Sequence, residues 1–512
     1  MPAAEAAAAC RPAWVLMVAL MVLGLLAASP AMAEPERRDY QSTPFWIAEP
    51  SIPQVLIILS KEYKMFYQAY AGLIVDFDGD GRIDTGFNPN AEYTGYFDSR
   101  SCYLYKAGHE GKPLASNRWY YADPGAYFER VGPTVEDDTT ISRPSGLKGY
   151  IPSPRSVTGI CRGVTGGGKK TFSGNWLNFM TSSRMDVIRK ILYGGDRVVD
   201  SASETYLEAS FVPPDAAVWG TDIFADNIWN KTPYNAYYDI TKYTPFDKPD
   251  NGKAHYFARV RDTGDGQLFP ALRMAVNVNI GTAERRYWDG VMQSRTVPND
   301  NYIRSYVSSD KSFRIKVRVC DSANLEDAAY GCKQYPNGGY KPVGLLQEYG
   351  ESDKMYFGLM TCGFSEPMRK GGGILRNHMD SMAKSINAST GQLLQYGLPW
   401  SITQLRISGR WLKTYDHTAG CGSNVCLYAD HSAWGNPLGE MLYEGVRYMA
   451  QKAQPTKVFS ESEVGDRSKV YFGASRIPST DSPINNLLSK NSYSTWSGRS
   501  SLPAGNFVKP VL

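Results

Sequence analysis

The sequence predicts an α/β layer sandwich that carries a long β-rich insertion, and three observations lead to this class. The run Val55–Leu59 is apolar throughout and rich in branched residues, which is typical of a central strand in a covered parallel sheet. Ser173–Leu192 and Pro437–Met449 show the spacing of apolar residues expected of helices. The whole chain is rich in Tyr, Gly and Pro (34, 48 and 31 residues), which favours strands and loops over a helical bundle.

After the first strand, the clearest element is the predicted helix over Ser173–Leu192, which is expected to end at Gly194-Gly195. Its apolar face consists of Leu177, Met180, Ile188, Ile191 and Leu192. Strict alternation over Phe313–Val319 then predicts a half-exposed strand.

The later elements complete the layer pattern. Leu345–Glu348 is expected to begin another helix, and Tyr356–Thr361 is expected to form the next strand. Pro437 opens a further helix, because proline is favoured in the first helical turn. Its apolar stripe consists of Leu438, Met441, Leu442, Gly445 and Met449.

Length and charge narrow the class of protein. The 512 residues are enough for about three average domains of roughly 150 residues. A net charge of +4, spread along the chain, argues against a nucleic-acid binder. Five His leave little material for a metal or acid–base site built from imidazoles.

Residues 1–33 have the features of a cleaved signal peptide. An apolar run over Trp14–Ala28 follows Arg11, and Ala31-Met32-Ala33 has the small residues that signal peptidase requires. The run is short for a permanent span, which needs about 20 residues. An uncleaved N-terminal anchor is the alternative. Residues 34–50 form a polar linker, and the mature chain is expected to be exported and soluble.

Export makes disulfides the default state of the seven Cys that follow the signal. Cys421–Cys426 and Cys320–Cys332 are the obvious short-loop pairs, and Cys102–Cys161 would close a longer loop, although spacing alone does not fix the connectivity. Cys362 lies in an apolar run and is expected to be a buried free thiol.

The sharpest local motif is an acidic turn over residues 76–84. Carboxylates alternate along it, a Gly provides the bend, and the candidate ligands are Asp76, Asp78, Asp80 and Asp84. Hard cations such as Ca²⁺ take six to eight oxygen ligands, so this spacing predicts a calcium loop. A full EF-hand is excluded because its twelfth position is Phe87. The alternative is a solvated acidic turn.

Other motifs give no support for catalysis. Gly163–Thr171 superficially resembles a phosphate-binding loop, but Lys170 occupies the place where Ser or Thr is required, so we predict a flexible basic loop and no nucleotide. Signatures of Ser, Cys or zinc hydrolases are absent from the sequence. The aromatic residues are interpreted as packing residues in preference to a sugar-binding face.

Several stretches together resemble the N-terminal half of the PilC/PilY family of type IV pilus biogenesis factors and tip adhesins. They occur in order from about residue 50 to residue 450: Tyr96–Asp98 with Cys102-Tyr103, Gly174–Phe179, Ser183–Lys190, Tyr193–Gly195, Tyr340–Gln347, Met355–Met360 and Asn436–Glu444.

This resemblance implies a von Willebrand factor A-like three-layer sandwich over residues 51–455, incomplete, with β- and loop-rich insertions at about 88–172 and 196–345. Residues 456–512 read as a Ser/Pro-rich irregular tail. Family members commonly continue into a C-terminal β-propeller, which is missing before Leu512, so we expect a truncated or short variant. A-type domains that bind Mg²⁺ carry Asp-x-Ser-x-Ser after the first strand. Here Ser60–Lys64 and Asn436 depart from that pattern, so we expect that metal site to be lost.

The resulting hypothesis is a non-enzymatic, exported protein that acts in type IV pilus assembly or display and in surface adhesion. The resemblance implies partners among pilus components, such as minor pilins and the tip complex, and a host or abiotic surface. The expected location is the periplasm, the outer-membrane surface or the pilus tip. The alternative is an independent secreted binding protein for a carbohydrate or surface ligand, using aromatic loops and the calcium-stabilised turn.

Overall fold

The protein is represented by a computed structural model, which describes residues 52–60, 63–70, 87, 91–106, 125–135, 159–212, 220–224, 239–264, 267–279, 312–321, 331–362, 373–395, 397–403, 405, 438–450, 452 and 455–456. The chain divides into two compact units, Met1–Ser51 and Ile52–Leu512, and the described residues all belong to the second. None of the helices in these residues is long and apolar enough to cross a bilayer. The predicted signal peptide and linker lie outside the described residues.

The described elements form a mixed α/β protein with several sheets and few helices. The strands are β1 (Gln54–Leu59), β2 (Ser101–Lys106), β3 (Tyr127–Pro133), β4 (Thr165–Gly166), β5 (Lys169–Lys170), β6 (Phe172–Ser173), β7 (Arg197–Asp200), β8 (Thr205–Glu208), β9 (Gly220–Phe224), β10 (Lys253–Gly264), β11 (Gln267–Asn279), β12 (Ser312–Arg314), β13 (Lys316–Val319), β14 (Cys332–Gln334), β15 (Tyr340–Pro342), β16 (Tyr356–Cys362) and β17 (Gly373–Asp380). The helices are α1 (Gly174–Thr181), α2 (Arg184–Tyr193), α3 (Ile240–Tyr243), α4 (Leu345–Gly350), α5 (Leu398–Thr403) and α6 (Leu438–Met449), with 3₁₀ turns at Tyr63–Phe66 and Met382–Lys384.

The first and last parts of the described chain meet in a three-stranded sheet. β1 pairs in parallel with β16, and β17 pairs antiparallel with the other edge of β16. Helix α6 packs against this sheet so closely that a Cβ at Gly445 would lie 2.7 Å from Ile58. The predicted strands at 55–59 and 356–361 are confirmed, and the first forms a parallel pair as expected. Its predicted central position is wrong among the described strands, because β1 pairs with β16 alone and Val55 is 37% exposed.

The orientation of α6 differs from the prediction. Met441 and Gly445 are buried as expected, but Leu438 and Leu442 are 49% and 58% exposed. Glu444 and Tyr448 are buried instead. The helix turns this way because the buried polar groups find partners: Tyr448 Oη accepts 3.0 Å from the Met379 amide, and a Glu444 carboxylate oxygen accepts 2.9 Å from the Thr456 amide.

The middle of the chain forms two further sheets. One has six strands in the order β6-β2-β3-β13-β8-β7, and the other has four in the order β12-β11-β10-β9. The predicted strand over Phe313–Val319 keeps its alternation of buried and half-exposed residues but is two strands. β12 pairs with the four-stranded sheet and β13 with the six-stranded sheet. Ile315 joins them, because its amide donates to Pro270 and its carbonyl accepts from Ala209.

Aromatic side chains fill the core of this region. Phe128 lies 5.3 Å from Phe97, 4.9 Å from Tyr105 and 5.5 Å from Phe172 between ring centroids. Trp176 of α1 is fully buried and lies 5.4 Å from Phe257. These aromatic residues therefore act as packing residues, since edge-to-face and tilted ring pairs add to the burial of apolar area.

The single helix predicted over Ser173–Leu192 is two helices, α1 and α2. Ser182 and Ser183 have extended backbone dihedral angles, and Ser183 caps α2: its hydroxyl accepts 3.1 Å from the Asp186 amide, while its amide donates 3.0 Å to the Asp186 carboxylate. This reciprocal pair is a capping box, and serine favours such caps over helix interiors. The predicted stop is confirmed, since Gly194 is left-handed (φ 88°).

Helix α2 also buries a different face from the one predicted. Ile191 is 46% exposed, whereas Asp186, Arg189 and Lys190 are buried together with Met185 and Tyr193. The charged side of the helix lies inside because its ions are paired there, as described below. The spacing of apolar residues therefore predicted the wrong buried face for this helix.

Two of the three expected disulfides are confirmed, Cys102–Cys161 and Cys320–Cys332. They tie β2 to the residues before β4, and the end of β13 to β14. Cys421 and Cys426 lie outside the described residues. So does the side chain of Cys362, and the thiol state expected there stays a prediction.

Candidate functional site

The predicted calcium ligands, Asp76, Asp78, Asp80 and Asp84, lie outside the described residues. Within the part of the chain that the structure describes, there is no group of three or more His, Cys, Asp or Glu that could hold a metal ion. Ser60, at the end of β1, is buried, and Lys64 is exposed in the following 3₁₀ turn. Lys61, Glu62 and Asn436 are outside the described residues, so the loss of an A-type metal site stays a prediction.

A groove with a volume of about 860 Å³ lies among the described residues. It lies between the end of α2, the β14–β15 hairpin and α4. Ile191 and Leu345 face it from two helices and are 46% and 41% exposed. Pockets that bind small ligands or partner side chains are usually of this size and largely apolar, with a few polar groups.

Three polar side chains fix one wall of the groove. Tyr335 Oη and Lys333 Nζ each donate a hydrogen bond to a different carboxylate oxygen of Glu351. The Lys333 ammonium also lies 4.9 Å from the centroid of the Tyr335 ring. Burial and the hydrogen bond to Glu351 raise the pKa of Tyr335 well above its ordinary value. The phenol therefore stays protonated and keeps donating its hydrogen bond to Glu351.

Helix α2 also carries a buried ion pair between Asp186 and Arg259 of β10. The two side chains are 1% and 0% exposed and lie 3.0 Å apart. Asp186 also accepts hydrogen bonds from Ser183 (2.7 Å) and from the Ser210 amide (2.7 Å). Burial by itself would raise the pKa of Asp186, but Arg259, Arg189 and the Ser183 hydrogen bonds outweigh it and lower that pKa.

Arg189 of α2 forms a second buried ion pair, and its guanidinium also donates hydrogen bonds to carbonyls at and just after the end of α5. Arg189 Nη1 lies 3.3 Å from Asp196, and Nη2 donates to the carbonyls of Leu405 (2.6 Å) and Thr403 (3.1 Å). Tyr193 Oη lies 3.0 Å from Thr403 Oγ1. One guanidinium therefore bridges segments more than 200 residues apart, which its planar set of donors allows.

Two asparagines of α1 hold the segment before β2. Asn175 accepts 2.8 Å from the Tyr93 amide and donates 2.8 Å to the Ala91 carbonyl. Asn178 accepts 3.0 Å from the Phe97 amide and donates to the carbonyls of Tyr93 and Phe97. The side chains of Asn175 and Asn178 thus supply hydrogen-bond partners to backbone groups of residues 91–97. Buried polar groups require such partners.

The sequence indicates two stretches that line the groove, but it does not predict the groove itself. The stretches Ser183–Lys190 and Tyr340–Gln347 were singled out only as points of resemblance, and the structure brings their ends together at the groove. The spacing of Ser183 and Asp186 does carry a capping-box signal that could have indicated the break between α1 and α2. The ion pairs carry no such signal, because their partners are remote in sequence.

Comparisons with known proteins identify similar chains. A family model described as the small alpha/beta domain of PilY1 homologues matches residues 149–262, and one described as the second domain of PilY1 homologues matches residues 357–496. No solved structure matches the chain.

Two curated relatives are type IV pilus biogenesis factor PilY1 homologues of Xylella fastidiosa (strain Temecula1). One is 29% identical over 425 residues, which cover 78% of this chain and 24% of the relative. The other is 27% identical over 291 residues, which cover 57% of this chain and 19% of the relative. The chain therefore spans about a quarter or less of the length of these relatives.

Fold and site together define a disulfide-bonded, mixed α/β protein whose helices and hairpins enclose a partly apolar groove. The two family models match it in order, and both curated relatives are PilY1 homologues. The chain is similar to PilY1 homologues over both matched regions, and the predicted family resemblance is confirmed. The more specific von Willebrand factor A-like sandwich stays a prediction.

Proposed function

We propose that this chain is an exported, non-enzymatic protein that acts in the assembly and display of type IV pili and in contact with a surface. The observation that carries the proposal is the presence of two PilY1-homologue domain matches, in order, within a chain that resembles pilus biogenesis factors over 78% of its length. Two of the stretches that carry the resemblance contribute to the groove, Ser183–Lys190 through Lys190 and Tyr340–Gln347 through Val343 and its neighbours, which supports a role for that surface.

Location and partners belong to the same proposal. The signal-peptide pattern of residues 1–33 supports export to the periplasm, the outer-membrane surface or the pilus tip. Minor pilins and the tip complex are the proposed partners. The disulfides Cys102–Cys161 and Cys320–Cys332 agree with an oxidising compartment.

Clean deletion of the gene tests the proposal. Surface pili are sheared and the major pilin is quantified, with an adhesion assay beside it and the gene supplied in trans as the control. Few pili, restored by complementation, would place the chain in assembly. Normal pili with weaker attachment would make it an adhesin. Normal pili and normal attachment would contradict the proposal and favour the independent secreted binding protein.

Calcium binding by Asp76, Asp78, Asp80 and Asp84 is also proposed, because carboxylate oxygens at alternate positions suit a hard cation. Asp78→Ala combined with Asp80→Ala is expected to lower the melting temperature in calcium buffer and to leave it unchanged in chelator. Asp247→Ala with Asp250→Ala removes the same charge elsewhere and is the control. Equal melting of variant and wild type in both buffers would contradict the calcium site.

A further inference from the structure

We propose that residues 162–170, which we call the basic hairpin, bind a linear acidic polysaccharide. The proposal deepens the surface-contact part of the proposed function and relies on it for the location of the chain outside the cell. Its basis is a group of exposed cations presented on a braced hairpin. The sequence predicted a flexible loop here, and the structure shows β4 and β5 instead.

The hairpin projects from the protein. Thr165 pairs with Lys170 and Gly166 with Lys169 in an antiparallel register. Gly167 and Gly168 form the turn with φ of 58° and 78°, the left-handed values of a tight two-residue hairpin. A Cβ at either glycine would meet nothing within 4 Å, so the turn stands in open space.

The base of the hairpin is held firmly. Cys161 is linked to Cys102 of β2, and Thr171 Oγ1 donates 2.8 Å to the Val164 carbonyl. Gly166 lies against Leu104, since a Cβ there would be 2.9 Å from that side chain. A ligand that binds to a preorganised hairpin loses little of its affinity to ordering the protein.

The hairpin concentrates positive charge. Arg162, Lys169 and Lys170 are exposed, and residues 159–170 contain no acidic residue. Lys170 lies 3.2 Å from Asp247, but the two side chains are 63% and 90% exposed. Such an exposed pair contributes little and exchanges readily with another anion.

Neighbouring residues extend the positive surface. The Lys242 carbonyl accepts hydrogen bonds from the amides of Cys161 (2.8 Å) and Arg162 (3.1 Å), which brings a fourth basic residue beside the hairpin. Lys248 follows Asp247 in the chain and lies 3.7 Å from Asp239. Among the described residues of 159–170 and 239–250, five are therefore basic and three are acidic.

The chemistry of the surface favours a flexible polyanion. The turn consists of Gly167 and Gly168, so it offers no apolar side chain for insertion into a bilayer and no aromatic ring for stacking on nucleobases. Guanidinium and ammonium groups form charge-assisted hydrogen bonds with carboxylates. Several cations on one exposed hairpin match repeated carboxylates of one polymer better than a single small anion.

The test measures binding of the purified full chain to immobilised polygalacturonate, which carries one carboxylate per sugar, in calcium-free buffer at 20 to 300 mM NaCl. Lys169→Ser with Lys170→Ser is expected to raise Kd at least tenfold at low salt and to flatten its salt dependence. Lys384→Ser with Lys452→Ser removes the same charge elsewhere and is expected to leave Kd within twofold. Melting temperatures establish that all variants are folded.

Three results would overturn the assignment: no binding by the wild type, equal loss in both double variants, or equal binding of wild type to phosphatidylglycerol vesicles or single-stranded DNA. Because binding is measured on the isolated chain, such a failure leaves the pilus proposal intact. In cells, Lys169→Ser with Lys170→Ser is expected to keep normal pilus numbers. Loss of pili in the deletion strain tests the other proposal separately.

Discussion

At the scale of single residues, the buried charges of α2 are expected to contribute strongly to the free energy of unfolding. Asp186 is 1% exposed and lies 3.0 Å from Arg259, so Asp186→Asn removes a negative charge beside a buried guanidinium. Breaking such a pair commonly lowers the free energy of unfolding by about 3 kcal/mol or more. We expect a loss of that size in urea denaturation of the Asn variant.

Asp247→Asn is the matched control, because it breaks an ion pair that is largely exposed. We expect it to change the free energy of unfolding by no more than about 0.5 kcal/mol. Similar losses in the two variants would show that the Asp186–Arg259 pair does not stabilise the fold.

The same carboxylate predicts a pH dependence. Although burial opposes ionisation, Arg259 and Arg189 hold the pKa of Asp186 below its ordinary value of 3.8. The unfolded chain therefore binds the proton more readily, and the stability from this group is present above about pH 4 and is lost as pH falls through the folded-state pKa.

Urea denaturation between pH 7 and pH 3 measures this loss. The wild type is expected to lose stability on acidification more steeply than Asp186→Asn, whose side chain does not titrate. Parallel curves for the two proteins would contradict a depressed pKa at this site.

At the scale of elements, the end of α2 requires a glycine for two reasons, a left-handed backbone conformation and a close contact with β15. Gly194 has φ of 88°, and a Cβ there would lie 2.4 Å from the Pro342 carbonyl group of β15. Gly194→Ala is therefore expected to lower the free energy of unfolding by about 3 kcal/mol, through backbone strain and overpacking together.

Gly163→Ala separates the two effects. Gly163 has φ of 85°, but a Cβ there meets nothing within 4 Å. This control is expected to lose only about 1 kcal/mol from the left-handed backbone. If thermal and urea denaturation give equal losses for both variants, close contact with Pro342 does not contribute.

At the scale of the whole molecule, Arg189 joins the two regions matched by family models. It belongs to residues 149–262 and donates to carbonyls of Thr403 and Leu405, within residues 357–496. Arg189→Lys keeps the charge but loses the planar set of donors. We expect it to lower the free energy of unfolding by about 2 kcal/mol.

Arg318→Lys serves as the comparison, because Arg318 is 25% exposed and pairs with three acidic residues on the surface. Its expected loss is below about 1 kcal/mol. Limited proteolysis followed by mass spectrometry gives a second readout, since Arg189→Lys is expected to speed cleavage around residue 405. Equal stability and equal cleavage in both variants would show that Arg189 does not couple the regions.

Much of the fold follows from local pattern. The apolar run at 55–59, the alternation over 313–319 and the helix stop at Gly194 are all found where expected. The predictions of which helix face is buried were wrong for α2 and partly wrong for α6. Ile191, Leu438 and Leu442 are exposed because polar residues on the other faces of α2 and α6 have buried partners.

The sequence by itself determined the mixed α/β class, the order of the main elements and the family that the chain resembles, because each depends on residues close together or on ordered blocks. It indicated two disulfide pairs, which the structure then fixed. Tertiary structure alone decided the groove and the ion pairs. Asp186 meets Arg259 across 73 residues, and Arg189 meets Leu405 across 216. Which distant groups share a low-dielectric interior depends on how the sheets and helices pack, and local periodicity carries no information about that.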